Sequence, residues 1–476
     1  MKQVGYGQKY LSRLNDGRNV WLQGELVKNI DTHPAFEGTI QTFAKLLDMQ
    51  NHAETRDKLT FILDENKDRA NLAFLVPKTT EDLARKREAY KVWSDATFGV
   101  MSRLSEYSRS LITGWYASRH RLGKNVNHFA EKIERYYQKS CVLDLLSTTA
   151  VHDPQIDRSK KASEMIDPYT MVRIVKETED GIVVRGAKMI ATAAPYVDEL
   201  LVFPYHKRPQ EDTRYATMFA VSVNTPGVHI VCRESFASEY EEDHPLSARF
   251  DEMDSVVIFE DVLIPWERVF IKDDPEAIWK TRTDPVVSAL SQHQTVVRLI
   301  SKLEFITALG NEIAVSIGVT QFLHVKEKLA ELIMQLETIK ALLLTAEHQA
   351  KIYEGIFLPA IVPLTTARNL GTRFYPRAIE ILQQIGAGGL LQLPSELQEL
   401  QGPIGHLLHR YYNGADRNAE KKVRLFKLAW DIIGSPLGAR HELYERYYSG
   451  DPVRTFAAQY QGYDTKKLTK QLTPFL

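Results

Sequence analysis

The stretch STTAVHDPQIDR at residues 147–158 has the residue types that bind a negatively charged group. Gln155 supplies an amide and Arg158 a guanidinium three residues later. Because an arginine stays protonated at physiological pH, it stabilises negative charge on a bound ligand. Spacing alone favours a simpler interpretation, in which Arg158 pairs with Asp157 or Glu164 on the surface.

Three other residues have types suited to anion binding and proton transfer. Arg103 and Tyr107 are four residues apart, which places both side chains on one face of a predicted helix. His293 lies in HQTVVR at 293–298. Imidazole has an ordinary pKa of about 6.5 and can accept a proton near neutral pH. A single histidine on a helix is nevertheless more often a structural residue.

Glycines and polar residues of the C-terminal third suit contacts to a nucleotide. Gly386, Gly388 and Gly389 allow close backbone approach to a pyrophosphate or an adenine. Ser435 and Arg440 add a hydroxyl and a guanidinium. The segment Gly386-Ala387-Gly388 lacks the third glycine of the GxGxxG dinucleotide-binding motif, and the residues around it are predicted to be helical. An alternative is that Gly434-Ser435 ends one helix and begins the next.

The elements that must position these residues change character twice along the chain. Apolar residues at three- and four-residue spacing predict an α-helical domain over residues 1–150. Short β-branched runs, the first two joined through residues 179–181, predict a β-barrel or sandwich domain over 151–280. The helical period returns over 281–476 and predicts a four-helix bundle with a C-terminal tail. One apolar face in this part comprises Leu329, Leu332, Leu336, Ile339, Leu343 and Ala346, and a second long helix is predicted from Ala419 to Ile433.

Composition limits the function classes. The 476 residues suggest two to four domains, and the net charge of -1 gives no field that favours nucleic acid or an anionic membrane. Cys141 and Cys232 cannot form a disulfide framework or a tetrahedral zinc site, which suits the cytoplasm. No secretory signal and no run of about 18 apolar residues is present, so we expect no membrane span. Walker A, HExxH and GxSxG motifs are absent as well.

Several longer strings, in order along the chain, resemble the oxygenase components of the 4-hydroxyphenylacetate 3-monooxygenase family. They are HPAFEGTI, MSRLSEY, HDPQIDRS, RGAKMIAT, RFDEMDSVVIFEDVLIPWERVF, HQTVVR, GAGGLLQLPSE and AWDIIGSPLGARHELYERYYSGDPVR. The resemblance implies an α+β, acyl-CoA dehydrogenase-like fold with an N-terminal α-domain, a central β-barrel domain and a C-terminal helical bundle. It also implies a cytoplasmic homotetramer or homodimer.

The implied activity is the ortho-hydroxylation of a phenol in aromatic catabolism, such as 4-hydroxyphenylacetate to 3,4-dihydroxyphenylacetate. The family uses FAD as FADH2, supplied by a separate NAD(P)H:flavin reductase, and O2, and reacts through a C4a-hydroperoxyflavin. The cofactor carries the difficult chemistry and the protein positions the reactants. The resemblance implies neither a metal nor a nucleic-acid partner.

The resemblance also implies roles for individual residues. Cofactor contacts are implied for Gln155, Arg158, Thr192, Gly386, Gly388, Gly389, Ser435 and Arg440. Catalytic roles are implied for Arg103 and Tyr107, which match a pair that contacts the phenol oxygen, and for His293, which matches a proposed base. The remaining substrate-binding candidates are Thr149, His152, Tyr205, His206, Arg446 and Tyr448.

One departure from the family pattern and one basic segment bear on the substrate. Counting back four residues from Asp153 gives Thr149, where the family often has a histidine, and His152 lies three residues further on. In the segment 204–214, His206, Lys207 and Arg208 are expected either to meet a carboxylate or to coat a solvated loop.

Four other functions are alternatives at this point. An oxygenase of the same family acting on another aromatic or natural-product substrate fits the same motifs. An acyl-CoA dehydrogenase would need a catalytic carboxylate, and the related 4-hydroxybutyryl-CoA dehydratases need more cluster ligands than two cysteines supply. A helical scaffold without flavin would have no use for the polar residues named above.

Overall fold

The structure, a computed structural model, describes residues 5–63 and 68–476. The chain divides into two units, the first comprising Met1–Arg298 with Ile352–Leu358 and the second Leu299–Lys351 with Pro359–Leu476. The predicted boundary near residue 150 falls inside unit 1, and the division into three domains stays a prediction.

Unit 1 combines helices with sheets. Its helices are α1 (Tyr6–Leu14), α2 (Pro34–Asp48), α3 (Arg56–Leu59), α4 (Thr80–Ala96), α5 (Glu106–Ala117), α6 (Arg119–Leu122), α7 (Phe129–Leu143), α8 (Ser247–Phe250), α9 (Pro275–Thr283) and the first part of α10 (Pro285–Ser316). Its strands are β1 (Asn19–Leu22), β2 (Glu25–Leu26), β3 (Thr60–Ile62), β4 (Arg69–Asn71), β5 (Ser147–Ala150), β6 (Arg173–Glu177), β7 (Gly181–Lys188), β8 (Glu199–Val202), β9 (Met218–Ser222), β10 (Val228–Cys232), β11 (Ser255–Pro265) and β12 (Val269–Ile271). A further hairpin consists of β13 (Lys351–Tyr353) and β14 (Ile356–Leu358).

The described strands form open sheets rather than the expected closed barrel. A six-stranded sheet has the order β2-β1-β10-β11-β7-β6, and a four-stranded sheet has the order β12-β9-β8-β5. The predicted hairpin through residues 179–181 is confirmed, since β6 and β7 pair antiparallel. Strand β1 pairs in parallel with β10, so residues 1–150, which were predicted to form an α-helical domain, also supply a strand to this sheet.

Helices α5 and α7 pack on the four-stranded sheet. Trp115 of α5 and Ile133 of α7 share a buried core cluster with Leu201 of β8 and Met218 of β9. Burying an apolar side chain of this kind stabilises the folded state by about 1.5–3 kcal/mol. This packing fixes the start of α5 and the end of β5, which carry several candidate site residues.

Unit 2 is helical. After the C-terminal part of α10 it contains α11 (Leu323–His348), α12 (Ile361–Gly386), α13 (Gly405–Tyr411), α14 (Ala419–Ile433), α15 (Pro436–Tyr447), α16 (Pro452–Gly462) and α17 (Lys466–Thr469). The predicted helix from Ala419 to Ile433 is confirmed as α14. On α11, the predicted apolar face is buried from Leu332 to Ala346, while Leu329 is half-buried.

In the residues that the structure describes, no helix has both the length and the apolar character needed to cross a membrane.

Candidate active site

The loop between β5 and β6 presents Gln155 and Arg158 to solvent. In the part of the chain described here, neither side chain has a hydrogen bond or an ion pair. The simple surface pairing of Arg158 with Asp157 or Glu164 is therefore not formed. Asp157 instead accepts a hydrogen bond from the Ser159 hydroxyl at 2.6 Å. The amide and the guanidinium of this loop are both available to a ligand.

Thr192 follows β7 in a turn and is 2% exposed. Its hydroxyl donates to the Asp254 carboxylate at 2.7 Å, and Asp254 also accepts from Nε of Arg233 at 3.2 Å. Because the only hydroxyl proton goes to Asp254, Thr192 offers other groups its lone pairs. The backbone on either side is left-handed, with φ of 54° at Ile190 and 66° at Ala193. That conformation costs about 1–2 kcal/mol per residue, so the surrounding contacts must hold it.

Arg103 and Tyr107 meet, but not on a helical face as predicted. Helix α5 begins at Glu106, so Arg103 lies in the segment before it. The reason is that the Arg103 backbone N–H donates to Oε1 of Glu252 at 2.6 Å instead of entering the helix. The guanidinium nevertheless lies over the Tyr107 ring, 4.3 Å from its centroid, in a cation–π contact. Glu252 also accepts the Ala193 N–H through its carbonyl at 2.8 Å, which ties this pair to the turn that carries Thr192.

His152 lies beside Tyr205, with 4.5 Å between the ring centroids. Burial is the largest cause that lowers the pKa of His152, because the charged imidazolium loses its hydration. Together with the nearby positive charges of Arg103, Lys188, His206 and Arg282, it brings this pKa to about 4. His152 is therefore a neutral ring at pH 7 in a positively charged environment.

Two other substrate candidates lie next to these residues. Thr149 is half-buried on β5, where it pairs in register with Leu201 of β8. His206 is exposed, and its ring meets the Tyr205 ring edge-on at 4.8 Å. The structure thus brings His206, Tyr205 and His152 together, as the sequence analysis expected of substrate-binding residues, without testing their role.

The basic residues after His206 have internal partners. Lys207 pairs with Glu276 at 2.5 Å, and Arg208 pairs with Asp153. Asp153 also accepts from Lys188 at 2.7 Å. Lys207 therefore lies on the surface, as expected of a residue that coats a solvated loop, whereas Arg208 is half-buried and bound to Asp153, and a role of either in binding a carboxylate stays a prediction.

The sequence analysis did not find Arg282, near the C-terminal end of α9. Its guanidinium carbon lies 3.6 Å from the centroid of the Tyr205 ring. Lys188 was missed as well, although it lies within the quoted string RGAKMIAT. No local signal identifies either residue, since each reaches His152 from an element far away in the sequence.

His293 is fully buried on α10. Its ring meets the Tyr90 ring edge-on, with 5.8 Å between centroids, and the Tyr90 hydroxyl bonds the Ser110 hydroxyl at 2.9 Å. This environment is compatible with a structural histidine, and the role of base stays a prediction.

A buried carboxyl lies directly before Tyr107. Glu106 is 2% exposed, and burial raises its pKa to about 8. Burial likewise lowers the pKa of the neighbouring Lys86 to about 7, and its ammonium donates to the carbonyl of Ala73 at 2.8 Å. Glu106 and Lys86, two buried groups that interact electrostatically, therefore have pKa values close to neutral pH.

In unit 2, the three candidate glycines have different surroundings. A Cβ atom on Gly386 would lie 2.8 Å from Leu390, and one on Gly389 would lie 3.0 Å from Phe426. Internal packing therefore explains both of these glycines. A Cβ atom on Gly388 would meet no atom within 4 Å, so of the three glycines Gly388 has the backbone that a ligand can approach.

Ser435 caps α15, as the alternative interpretation proposed. Its hydroxyl donates to the carbonyl of Asp431 at 2.7 Å and accepts the N–H of Gly438 at 3.1 Å. Arg440 lies over the Tyr444 ring at 4.2 Å. The hydroxyl of Ser435 is thus used within the helix, which does not by itself exclude a ligand contact.

The last two substrate candidates lie at the end of α15. Arg446 is exposed and pairs with Glu442 at 2.6 Å. Tyr448 stacks on Tyr444 with 5.8 Å between centroids. Their proposed role in the phenol site stays a prediction.

The residues present suit a flavin. Gln155 and Arg158 supply a free amide and a free guanidinium, and Thr192 supplies hydroxyl lone pairs. An amide and a lone-pair acceptor match the polar edge of an isoalloxazine ring, and a guanidinium matches its negative charge when reduced.

Comparisons with known proteins cover nearly the whole chain. Residues 6–271 match the model of the 4-hydroxyphenylacetate 3-hydroxylase N-terminal family, and residues 287–476 match that of the C-terminal family. A 4-hydroxyphenylacetate 3-monooxygenase oxygenase component from Thermus thermophilus is 41% identical over 475 residues, covering 99% of this chain and 97% of the relative.

Two solved structures have the same fold. An oxygenase component of 4-hydroxyphenylacetate 3-monooxygenase, complexed with FAD and 4-hydroxyphenylacetate, is 41% identical with a TM-score of 0.94, covering 99% of this chain and 98% of the other. An archaeal 4-hydroxybutyryl-CoA dehydratase from N. maritimus has a TM-score of 0.88 at 22% identity, covering 100% and 96%, and shows the fold alone. The predicted acyl-CoA dehydrogenase-like, α+β class is confirmed. The chain belongs to the 4-hydroxyphenylacetate 3-hydroxylase family.

Proposed function

We propose that this chain is the oxygenase component of a two-component monooxygenase that converts 4-hydroxyphenylacetate to 3,4-dihydroxyphenylacetate. Its family membership and its 41% identity to an oxygenase component that binds FAD and 4-hydroxyphenylacetate support this function. Within the chain, the observation that carries it is the contact between Arg103 and Tyr107 beside a neutral His152.

These residues favour the phenolate form of the substrate. The positive charges that lower the pKa of His152 would also lower the pKa of a phenol bound beside it. They disfavour the positively charged imidazolium and favour the negatively charged phenolate. The Arg103 guanidinium stabilises the phenolate oxygen, and the Tyr107 hydroxyl donates a hydrogen bond to it. An ionised phenol has more electron density at its ortho carbon, where the new oxygen is added.

Gln155, Arg158 and Thr192 would bind the flavin ring. Reduced FAD supplies the two electrons that activate O2, so that one oxygen atom enters the substrate and the other leaves as water. Arg158 holds the negative charge of the reduced ring, Gln155 bonds its polar edge, and Thr192 accepts a hydrogen bond because Asp254 takes its proton. A separate NAD(P)H:flavin reductase would provide the reduced cofactor.

Residues of unit 2 complete this proposal. Gly388 would let the nucleotide part of FAD approach the backbone, and Arg440 would bind a phosphate. Arg446 and Tyr448 would contact the substrate. We also propose a cytoplasmic homotetramer or homodimer, which light scattering on the purified chain would test.

The test is a single-turnover experiment. Anaerobic chain with chemically reduced FAD and 4-hydroxyphenylacetate is mixed with oxygenated buffer, and 3,4-dihydroxyphenylacetate is quantified by chromatography. We expect close to one product per reduced FAD, and none with phenylacetate, which lacks the phenol. Complete conversion of the reducing equivalents to hydrogen peroxide, with no hydroxylated product, would contradict the proposed function.

A further inference from the structure

Arg282 contacts two aromatic side chains. Its guanidinium carbon lies 3.6 Å from the centroid of Tyr205 and 5.8 Å from that of Trp279. A guanidinium that is stacked in this way keeps its N–H donors in the plane of the group, where they point away from the ring faces. Tyr205 in turn lies against His152 at 4.5 Å, so Arg282 belongs to the same cluster as the candidate substrate residues.

One nitrogen of Arg282 has no acceptor. The Nη1 atom is buried without a hydrogen-bond partner, and among the described residues no carboxylate pairs with this guanidinium. Neighbouring cations differ in having a carboxylate partner, since Lys188 and Arg208 both bind Asp153, although Nε of Arg208 is also buried without an acceptor. Leaving a buried charged donor unsatisfied is unfavourable, and a bound anion would remove that cost.

The substrate needs two anion sites. A phenylacetate with a para hydroxyl has its phenolic oxygen and its carboxylate at opposite ends of the ring, so one cation cannot bind both. Arg103, before α5, contacts Tyr107 and suits the phenolic end. Arg282, on α9, comes from a different element and contacts Tyr205, whose ring lies against His152.

We propose that Arg282 binds the carboxylate of the substrate and thereby selects phenolic acids over neutral phenols. This proposal rests on the proposed hydroxylation of 4-hydroxyphenylacetate and adds the residue that determines specificity for its acid group. The planar guanidinium can form two parallel hydrogen bonds with a carboxylate, which a lysine ammonium cannot reproduce.

The experiment measures binding rather than turnover. The chain is saturated with reduced FAD under anaerobic conditions, and dissociation constants are measured by calorimetry for 4-hydroxyphenylacetate and for the neutral 4-methylphenol. Arg282→Gln should weaken binding of the acid roughly 10- to 100-fold, the loss expected for a hydrogen-bonded charge pair, and leave that of 4-methylphenol within about 3-fold. Arg282→Lys should fall between the wild type and Arg282→Gln for the acid.

Arg119→Gln is the matched control. Arg119 also stacks on a tyrosine, 4.2 Å from the Tyr116 centroid, but it is paired with Glu134 at 3.2 Å. This variant should leave the preference for the acid unchanged. Thermal unfolding of each variant checks that it is folded. If Arg282→Gln does not fold, the affinity of Arg282→Lys for the acid tests the proposal, because lysine keeps the positive charge but cannot form two parallel hydrogen bonds with a carboxylate.

The remaining outcomes separate the two proposals. Equal weakening of both ligands by Arg282→Gln, or an unchanged preference for the acid in Arg282→Lys, would mean that Arg282 only supports Tyr205, and the carboxylate site would be rejected. A wild type that binds neither phenol would overturn the carboxylate site together with the proposed function. A wild type that binds both phenols equally would overturn the carboxylate site alone.

Discussion

Individual residues of this chain acquire their chemistry from burial and from charges on other segments. His152 is a neutral ring because burial and nearby cations lower its pKa to about 4. It is therefore a poor base for a phenol, and the same cations would lower the pKa of the proposed phenolic substrate if it binds there. Arg158 is the opposite case, because its exposed guanidinium has no partner in the described residues and is free to bind an anionic ligand.

Arg158→Gln should weaken the binding of reduced FAD by about 10-fold or more, since a charge-assisted contact to the ring is lost. The dissociation constant of reduced FAD is measured anaerobically by fluorescence. Lys160→Gln is the control, because Lys160 is an exposed cation of the same loop that lies 3.5 Å from Asp157. Equal affinities in the wild type and Arg158→Gln would remove Arg158 from the flavin site.

His293→Gln should leave the affinity for reduced FAD unchanged but lower the yield of hydroxylated product, with hydrogen peroxide formed instead. The reason is that the predicted base acts on the phenol and not on the cofactor. Product and peroxide are quantified per reduced FAD over a range of pH. Full coupling at every pH would identify His293 as a core residue packed on Tyr90, as its complete burial also allows.

At the scale of elements, β7 and its pairing with β11 position Thr192. Gly186 in β7 has φ of +127°, and a Cβ atom there would lie 2.4 Å from the Met171 carbonyl. The register of β7 against β11 shifts between Phe259 and Val262, close to this point. Only glycine satisfies both the backbone conformation and the close approach of the chain.

Gly186→Ala should therefore lower the melting temperature by more than the strained φ alone explains. Overpacking adds about 1–3 kcal/mol of destabilisation to the cost of the left-handed conformation. Gly24→Ala is the matched control, since Gly24 has φ of +83° and nothing within 4 Å of its Cβ position. Both melting temperatures are compared at one scan rate, and equal losses would contradict the role of the Met171 contact.

At the scale of the whole molecule, the buried Glu106 makes stability depend on pH. Burial raises the pKa of Glu106 from 4.5 to about 8, so the folded chain holds a proton that the unfolded chain has released between these values. The stabilisation linked to that proton is complete below about pH 4.5 and is lost as pH rises through 8. Lys86, with a pKa of about 7 in the folded chain, contributes to the pH dependence of stability mainly above pH 7. Between pH 5 and 7 the change in stability is therefore attributed to Glu106.

Glu106→Gln should thus gain stability relative to the wild type as pH rises from 5 to 7, by at most about 1.4 kcal/mol per pH unit. Chemical denaturation at several pH values measures the difference. Glu131→Gln, which removes an exposed carboxyl of α7, should follow the wild type. Parallel curves for Glu106→Gln and the wild type would show that Glu106 is ionised in the folded chain at neutral pH.

The sequence by itself determined the local elements and the family. The hairpin of β6 and β7, the bounds of α14 and most of the apolar face of α11 follow from periodicity and turn residues, which are properties of neighbouring positions. The family follows from long strings in the right order. Arg103 and Tyr107 were correctly paired, although for the wrong geometric reason.

Only the tertiary structure decided which distant residues meet. Strand β1 pairs in parallel with β10, so residues predicted as an α-helical domain also supply a strand, and two open sheets replace the expected barrel. Arg282 and Lys188 were missed, because their partners come from other segments of the chain. Pairing between residues far apart in the sequence depends on how whole elements pack, and a local pattern of residue types does not specify that packing.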